Sequence, residues 1–289
     1  MNWKKILIGT AVLTCAAAML TGCGGDNKTA STAKESDKGK IIVGLDDNFP
    51  PMGFKDEKNE IVGFDVDLAK EAAKRLGREV EFKAIDWSSK EAELKSGRVQ
   101  ILWNGLDITE KRKENMLFSN PYMDNRQIIF VKKGGASITD EKSLAGKVIG
   151  TQSAGTAEEY IDATDFYKNE VKEVKKYPDY VAAFMDLENG RLDAVVGDEI
   201  VGRYYMSKHP EELEALDVVV GPVSEFGIAF AKDNESLRND VQAVMDIMKS
   251  DGSTAEISKK WFNKDITTPQ SCPSFISCLY LYCNKDITK

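Results

Sequence analysis

The stretch that decides the fold is Asn104-Gly105-Leu106-Asp107-Ile108-Thr109-Glu110-Lys111-Arg112-Lys113, followed by Phe118-Ser119-Asn120-Pro121-Tyr122. The apolar run Ile101-Leu102-Trp103 before it predicts a short buried strand, and Thr109 is a good N-cap for a helix. Arg112 then lies at a strand-to-helix corner, where a guanidinium beside free backbone N–H groups can clamp a carboxylate. Taken alone, an Arg at this position is more often a solvated helix charge, because charged residues are mostly exposed.

Strand and helix patterns alternate on the N-terminal side of this corner. Apolar runs at 41–45, 80–82 and 99–103 predict strands, and residues 88–96 predict a helix. The segment Asp65–Leu76 has apolar residues at helical spacing, with Asp65 as the expected N-cap and Gly77 as the stop. This alternation predicts an α/β domain that binds its ligand at the carboxyl ends of the strands.

A second unit of the same kind follows. A strand at 127–133 ends in Gly134-Gly135, which suggests a crossing into another lobe, and a segment at 225–230 suggests the return crossing. Between the crossings the pattern predicts strands near 148–150, 171–177 and 193–196, and helices that open at Thr156 and span 180–188. The last helices, about 236–248 and 254–261, are expected to pack back on the first lobe.

Three motifs carry a resemblance to a known family. They are Gly63-Phe64-Asp65-Val66-Asp67-Leu68, the stretch from Trp103 to Arg112, and Phe118-Ser119-Asn120-Pro121-Tyr122. The chain, from about Lys40 to Thr267, resembles the polar amino acid ABC-transporter solute-binding proteins, that is, bacterial extracellular solute-binding protein family 3 of the lipoprotein type. The resemblance implies a type II periplasmic-binding-protein fold, with two α/β lobes joined by two crossing strands that close by hinge motion. We assign 40–124 and 227–267 to lobe 1, and 125–226 to lobe 2.

The resemblance also implies how the ends of an amino acid would be held. Arg112 matches the family arginine that binds the α-carboxylate, and Thr156 matches a hydroxyl donor from lobe 2. Asp198 matches the acid that receives the α-ammonium, although it could also be a helix N-cap, and the Gly105 carbonyl is a second acceptor. Asp107 departs from the family, which has Ser or Thr there. It either strengthens cation recognition or only caps the helix that begins after Thr109.

Three further positions match the family's side-chain pocket. Asp46 matches the contact with the distal end of the ligand side chain, and Phe49 and Trp87 match the contacts with its two faces. Two aromatic rings can sandwich an extended chain and attract a cation, although both residues could also be ordinary core. Because Asp46 can accept hydrogen bonds from an ammonium, a guanidinium or an amide, lysine, arginine, histidine, glutamine and cystine all remain open.

The two ends of the chain have their own patterns. Residues 1–22 contain Lys4-Lys5 and a short apolar run, which predict a signal peptide, and Leu20-Thr21-Gly22-Cys23 resembles a bacterial lipobox. We therefore expect a lipid on Cys23, with 23–39 as a flexible tether. Residues 268–289 are an atypical tail with three cysteines, and they repeat the five residues 263–267 at 284–288. We interpret this tail as an insertion.

Composition limits the remaining functions. The formal net charge of −8 and the pI near 5.0 argue against nucleic acid as a partner, and no zinc or P-loop pattern indicates a metal or another cofactor. The leading expectation is a monomeric, non-enzymatic receptor on the outer face of the cell membrane that delivers a polar L-amino acid to an ABC permease. The alternatives are a secreted dehydratase-like enzyme, which needs a general acid or base, and a sensory ectodomain, which needs a spanning helix.

Overall fold

The computed structural model describes residues 39–135 and 137–267. The predicted signal peptide, the lipid on Cys23, most of the tether and the tail lie outside these residues. The described strands, in chain order, are β1 (Ile41–Leu45), β2 (Asn48–Phe49), β3 (Gly53–Lys55), β4 (Ile61–Val62), β5 (Val80–Ala84), β6 (Ile101–Asp107), β7 (Met116–Phe118), β8 (Met123–Lys132), β9 (Val148–Gln152), β10 (Glu173–Tyr177), β11 (Ala194–Asp198) and β12 (Leu213–Ala231).

Helices lie between most of these strands, and two 3-10 turns occur at Trp87–Ser89 and Lys142–Leu144. The described helices are α1 (Phe64–Arg75), α2 (Lys90–Lys95), α3 (Glu110–Asn115), α4 (Thr156–Ala163), α5 (Asp165–Asn169), α6 (Tyr180–Glu188), α7 (Glu199–Lys208), α8 (Glu235–Ser250) and α9 (Ser253–Phe262). The α/β alternation predicted from the sequence is therefore present in both halves of the chain.

The main sheet has the strand order β10-β9-β11-β8-β12-β6-β1-β5, and β7 also pairs with β12. Strands β1, β5 and β6 are parallel on one side, and β9, β10 and β11 are parallel on the other. The long antiparallel strands β8 and β12 lie between the two groups and pair with each other. Two α/β halves joined by two crossing strands were predicted, and this is the observed topology. The lobe boundaries 124/125 and 226/227 fall inside β8 and β12 and stay a prediction.

The strand-to-helix corner between β6 and α3 forms as predicted. Every residue of β6 is buried, since the strand lies inside the sheet. The hydroxyl of Thr109 accepts a hydrogen bond of 3.2 Å from the backbone N–H of Arg112, which caps α3. The carboxyl end of β6 and the start of α3 are therefore fixed relative to each other, and this positions Arg112.

The prediction that Asp65 is the N-cap of α1 was wrong. The helix begins at Phe64, Gly63 occupies the cap position, and the Asp65 side chain is fully buried. Its Oδ2 atom accepts hydrogen bonds from the backbone N–H of Gly105 at 2.7 Å and from the hydroxyl of Tyr122 at 2.9 Å. Because two buried donors need this acceptor, the carboxylate points into the lobe and fixes the strand that carries Gly105.

The last two helices pack against α1, as predicted. The centroid of the Phe262 ring in α9 lies 5.1 Å from the centroid of the Phe64 ring in α1, and the two rings pack edge to face. A small separate sheet of β2, β3 and β4 was not predicted. Its strands are only two or three residues long, which is too short for alternation to be visible in the sequence.

Candidate functional site

Arg112 lies at the centre of the site and is almost completely buried, with 2% of its side chain exposed. Its Nη1 atom donates to the backbone carbonyl of Asp107 at 3.0 Å, and Nη2 donates to the carbonyl of Ala154 at 3.4 Å. The first contact lies within the β6–α3 corner, and the second reaches across to predicted lobe 2. The guanidinium therefore faces the junction between the lobes, and the alternative of a solvated helix charge is wrong.

Glu159 is the acidic partner of this guanidinium. Its Oε1 atom lies 3.1 Å from Nε and 3.0 Å from Nη2 of Arg112. Glu159 stands in the first turn of α4, close to Thr156, where the helix dipole favours a negative charge. The sequence analysis did not single out Glu159, because an acid in the first turn of a helix is common and its partner is 47 residues away.

Two carboxyl groups lie together at the ends of β6 and β11. The amide nitrogen of Asn125 donates to Oδ1 of Asp107 at 3.0 Å and also to Oδ1 of Asp198. Asp107 accepts a second bond from the Ser224 hydroxyl at 2.6 Å, and Asp198 accepts one from Gln127 at 2.8 Å. The structure thus brings together the two acids that the sequence analysis proposed for the α-ammonium end of the ligand.

Burial raises the pKa of both carboxyl groups. For Asp107 the raised pKa is partly offset by the neighbouring Arg112, and by hydrogen bonding that includes the nearby Thr156. For Asp198 the negative charge of Asp107 adds to the effect of burial. Two buried acids that repel each other form a site where a cation is stabilising, so an ammonium group is the chemistry that this pair would recognise.

Neither acid is used as a helix cap. Asp198 occupies the N-cap position of α7 but makes no capping hydrogen bond with its side chain, which points to Asn125 and Gln127 instead. Asp107 likewise turns away from α3, whose cap is Thr109. Neither carboxylate therefore has the helix-capping role that the sequence left open for it.

Asp46 and Phe49 lie where predicted lobe 1 meets predicted lobe 2. The Asp46 carboxylate accepts a 2.7 Å hydrogen bond from the side-chain amide of Gln152 on β9, and burial raises its pKa to about 7. The centroid of the Phe49 ring lies 6.1 Å from that of Tyr180, at the start of α6. Gly105 also lies against Phe49, because a Cβ at Gly105 would be 2.7 Å from Phe49 Cε1.

Trp87 is buried in the 3-10 turn before α2, and its neighbour Lys90 was missed by the sequence analysis. The Lys90 ammonium lies 5.2 Å from the centroid of the Trp87 ring and donates to the Ala154 carbonyl at 2.7 Å. Burial and the nearby Arg112 lower the pKa of Lys90 to about 8. The aromatic sandwich of Phe49 and Trp87 stays a prediction.

Within residues 39–135 and 137–267, no group of three or more His, Cys, Asp or Glu side chains is arranged to hold a metal ion. None of the helices in these ranges combines the length and the apolar character that crossing a membrane requires.

The chain matches one family model and several known proteins. The model of the bacterial extracellular solute-binding proteins, family 3, matches residues 41–264. The ABC transporter arginine-binding protein 1 of Escherichia coli K12 is 34% identical over 226 residues, which are 77% of this chain and 90% of that protein. The L-cystine-binding protein TcyJ of the same strain is 29% identical over 267 residues, 91% of this chain and 97% of the relative.

A solved structure extends the similarity to three dimensions. An ABC uptake transporter substrate-binding protein from Streptococcus pneumoniae, crystallised with bound histidine, superposes with a TM-score of 0.76 at 33% identity. The match covers 80% of this chain and 95% of the other. The predicted type II periplasmic-binding-protein fold is confirmed, and the relatives are named as binding proteins.

Proposed function

Because the chain belongs to the bacterial extracellular solute-binding proteins of family 3, we propose that it is a lipid-anchored receptor. It binds a polar L-amino acid between its two lobes and delivers it to an ABC-type membrane permease. The observation that carries the proposal is the buried cluster in which the Arg112 guanidinium meets the acid pair Asp107 and Asp198. A cation beside two acids matches the opposite charges of a zwitterion.

Each predicted site residue has a role in this proposal. Arg112 and the Thr156 hydroxyl bind the α-carboxylate, with the start of α4 adding its backbone N–H groups. Asp198 and the Gly105 carbonyl accept from the α-ammonium, and Asp107 adds a second negative charge beside it. The side chain of the ligand extends past Phe49 and Trp87 towards Asp46.

A basic side chain is the class that the charges favour. Asp46 is the acid at the distal end, and burial without a cation leaves its pKa raised to about 7, so a cationic group there would be stabilising. One relative is named for arginine and one for cystine, and a third was crystallised with bound histidine; arginine and histidine carry basic side chains. We therefore rank arginine, lysine and histidine before glutamine and cystine.

The remaining parts of the proposal concern location and assembly. The lipobox-like Leu20-Thr21-Gly22-Cys23 supports an anchor through a lipid on Cys23 at the outer face of the cell membrane. Residues 23–39, predicted from the sequence as a tether, would link the lipid on Cys23 to the binding domain. We propose that the receptor works as a monomer.

Calorimetry with the twenty L-amino acids tests the function, beginning with L-arginine. The Arg112→Met variant should bind at least about a hundredfold more weakly, because it loses two charge-assisted hydrogen bonds worth about 1.5–3 kcal/mol each. Lys111→Met is the matched control, since Lys111 is exposed on the same helix and the charge change is equal. Equal affinity of the two variants would contradict the proposed site.

Native mass spectrometry of protein purified without added ligand completes the test. A retained amino acid of unchanged mass supports a receptor. Conversion of that compound during incubation would instead support the dehydratase-like alternative.

A further inference from the structure

The guanidinium of Arg112 has no fork open to a ligand in this structure. A carboxylate is clamped by two parallel N–H groups, which a guanidinium offers either through Nε and Nη2 or through Nη1 and Nη2. Glu159 engages Nε and Nη2. The carbonyls of Asp107 and Ala154 accept from Nη1 and Nη2. An incoming α-carboxylate must therefore replace an acceptor that the protein itself supplies.

Glu159 is the acceptor that can leave most easily. About a fifth of its side chain is exposed, at 22%, whereas Arg112 is 2% exposed and held on α3 behind the Thr109 cap. The two carbonyls belong to the backbone of β6 and of the loop before α4, so they cannot withdraw without moving those elements. A rotation of the Glu159 side chain, in contrast, takes its charge into water.

The other charged side chains nearby have partners other than the Arg112 guanidinium. Glu158, one residue earlier, accepts from the backbone N–H of Ala154 and pairs with Lys176 at 2.8 Å. Lys90 donates to the Ala154 carbonyl, and Asp107 directs its carboxylate to Asn125 and Ser224. Among the acidic side chains of this region, Glu159 is the one that forms an ion pair with Arg112 in the part of the chain that the structure describes.

We propose that Glu159 is an internal competitor which occupies Arg112 in the ligand-free protein and is displaced by the α-carboxylate of the amino acid. This inference rests on the proposed function, because it takes Arg112 as the group that binds the ligand. Displacing Glu159 offsets part of the free energy that the ligand carboxylate gains on Arg112, so Glu159 lowers affinity. It also keeps the buried guanidinium paired when no ligand is present, since an unpaired buried charge is costly.

The test compares L-arginine binding by wild type, Glu159→Gln and Glu159→Ala in calorimetry. We expect both variants to bind about tenfold more tightly than wild type, which is the effect of removing one partly exposed ion-pair competitor. Asp162→Asn is the matched control, because Asp162 lies on the same helix, pairs with Lys176 and carries the same charge. Its affinity should equal that of wild type.

The possible results separate the competitor role of Glu159 from the proposed function. Weaker or unchanged binding by the Glu159 variants, with wild type and Asp162→Asn binding normally, would overturn the competitor role and leave the proposed function intact. A gain in Asp162→Asn as large as in the Glu159 variants would assign the effect to net charge and overturn the proposal. If wild type and all variants bind no amino acid, the proposed function fails, and the competition fails with it.

Discussion

Lowering the pH should weaken the binding of a basic amino acid, and Asp46 sets the size of the effect. Burial raises the pKa of Asp46 to about 7, above its usual value of 3.8. The carboxyl must be ionised to attract a cationic side chain, so below that pKa the ligand has to expel a proton. Between about pH 8 and about pH 6 the protonated fraction rises from about one tenth to about nine tenths, which lowers affinity about tenfold, or about 1.4 kcal/mol.

The acid pair Asp107 and Asp198, which we propose binds the α-ammonium, acts in the same direction. Burial raises the pKa of both Asp107 and Asp198, and the two groups repel each other. Any proton that they share in the ligand-free protein must leave when an α-ammonium binds. The total loss of affinity between the two pH values should therefore exceed the tenfold expected from Asp46 alone.

Calorimetry of L-arginine and L-glutamine in matched buffers measures this dependence. In the Asp46→Asn variant the tenfold loss of L-arginine affinity that Asp46 causes between the two pH values should disappear, because an amide does not titrate. L-glutamine should depend less on pH, since its neutral amide does not require an ionised Asp46. An L-arginine affinity that is constant between the two pH values, or that rises as the pH falls, would refute the reasoning.

Three further variants test other parts of the site. Gly105→Ala should lower the free energy of unfolding by about 1–3 kcal/mol in a urea titration, because its φ is positive, at 57°, and a Cβ would meet Phe49. An unchanged midpoint would contradict the close approach. Asp65→Ala should cost about 2–4 kcal/mol in the same titration, because the N–H of Gly105 and the Tyr122 hydroxyl lose their acceptor; wild-type stability would rule out that dependence. Asp107→Thr should weaken L-arginine and L-glutamine alike by about three- to tenfold in calorimetry, because the ammonium that they share loses a neighbouring charge. Equal affinity would leave Asp107 a purely structural role.

The parts of the fold that were predictable from the sequence are those with local causes. The β6–α3 corner combines a buried apolar run with a Thr N-cap, and α6 was predicted at its observed bounds, Tyr180–Glu188. Both signals lie within a short run of consecutive residues, so no knowledge of the tertiary structure was needed. The family motifs then assigned Arg112, Asp107 and Asp198 to one site, and the structure places these three side chains near one another.

The parts that were missed depend on partners far away in the chain. The sequence predicted that the Asp65 side chain caps a helix, but it accepts a hydrogen bond from the backbone N–H of Gly105, 40 residues later. Glu159 and Lys90 looked like ordinary helix charges, because their partners lie on the opposite side of the junction. Asn125, which joins the two acids, lies in a strand whose pattern gave no sign of a polar role. Such contacts arise only when the chain is folded.

The pairing of β8 with β12 limits how the two halves can move. Because the two connections are hydrogen-bonded to each other, they form a ribbon that resists sliding of one half past the other. The ladder is interrupted between Leu216 and Val219, and again between Val220 and Ser224. Flexure should concentrate at these interruptions, about a single axis across the ribbon. Ser224 borders the second interruption and donates a hydrogen bond to Asp107, so the point of bending is directly connected to a residue that we propose lies beside the ligand's ammonium.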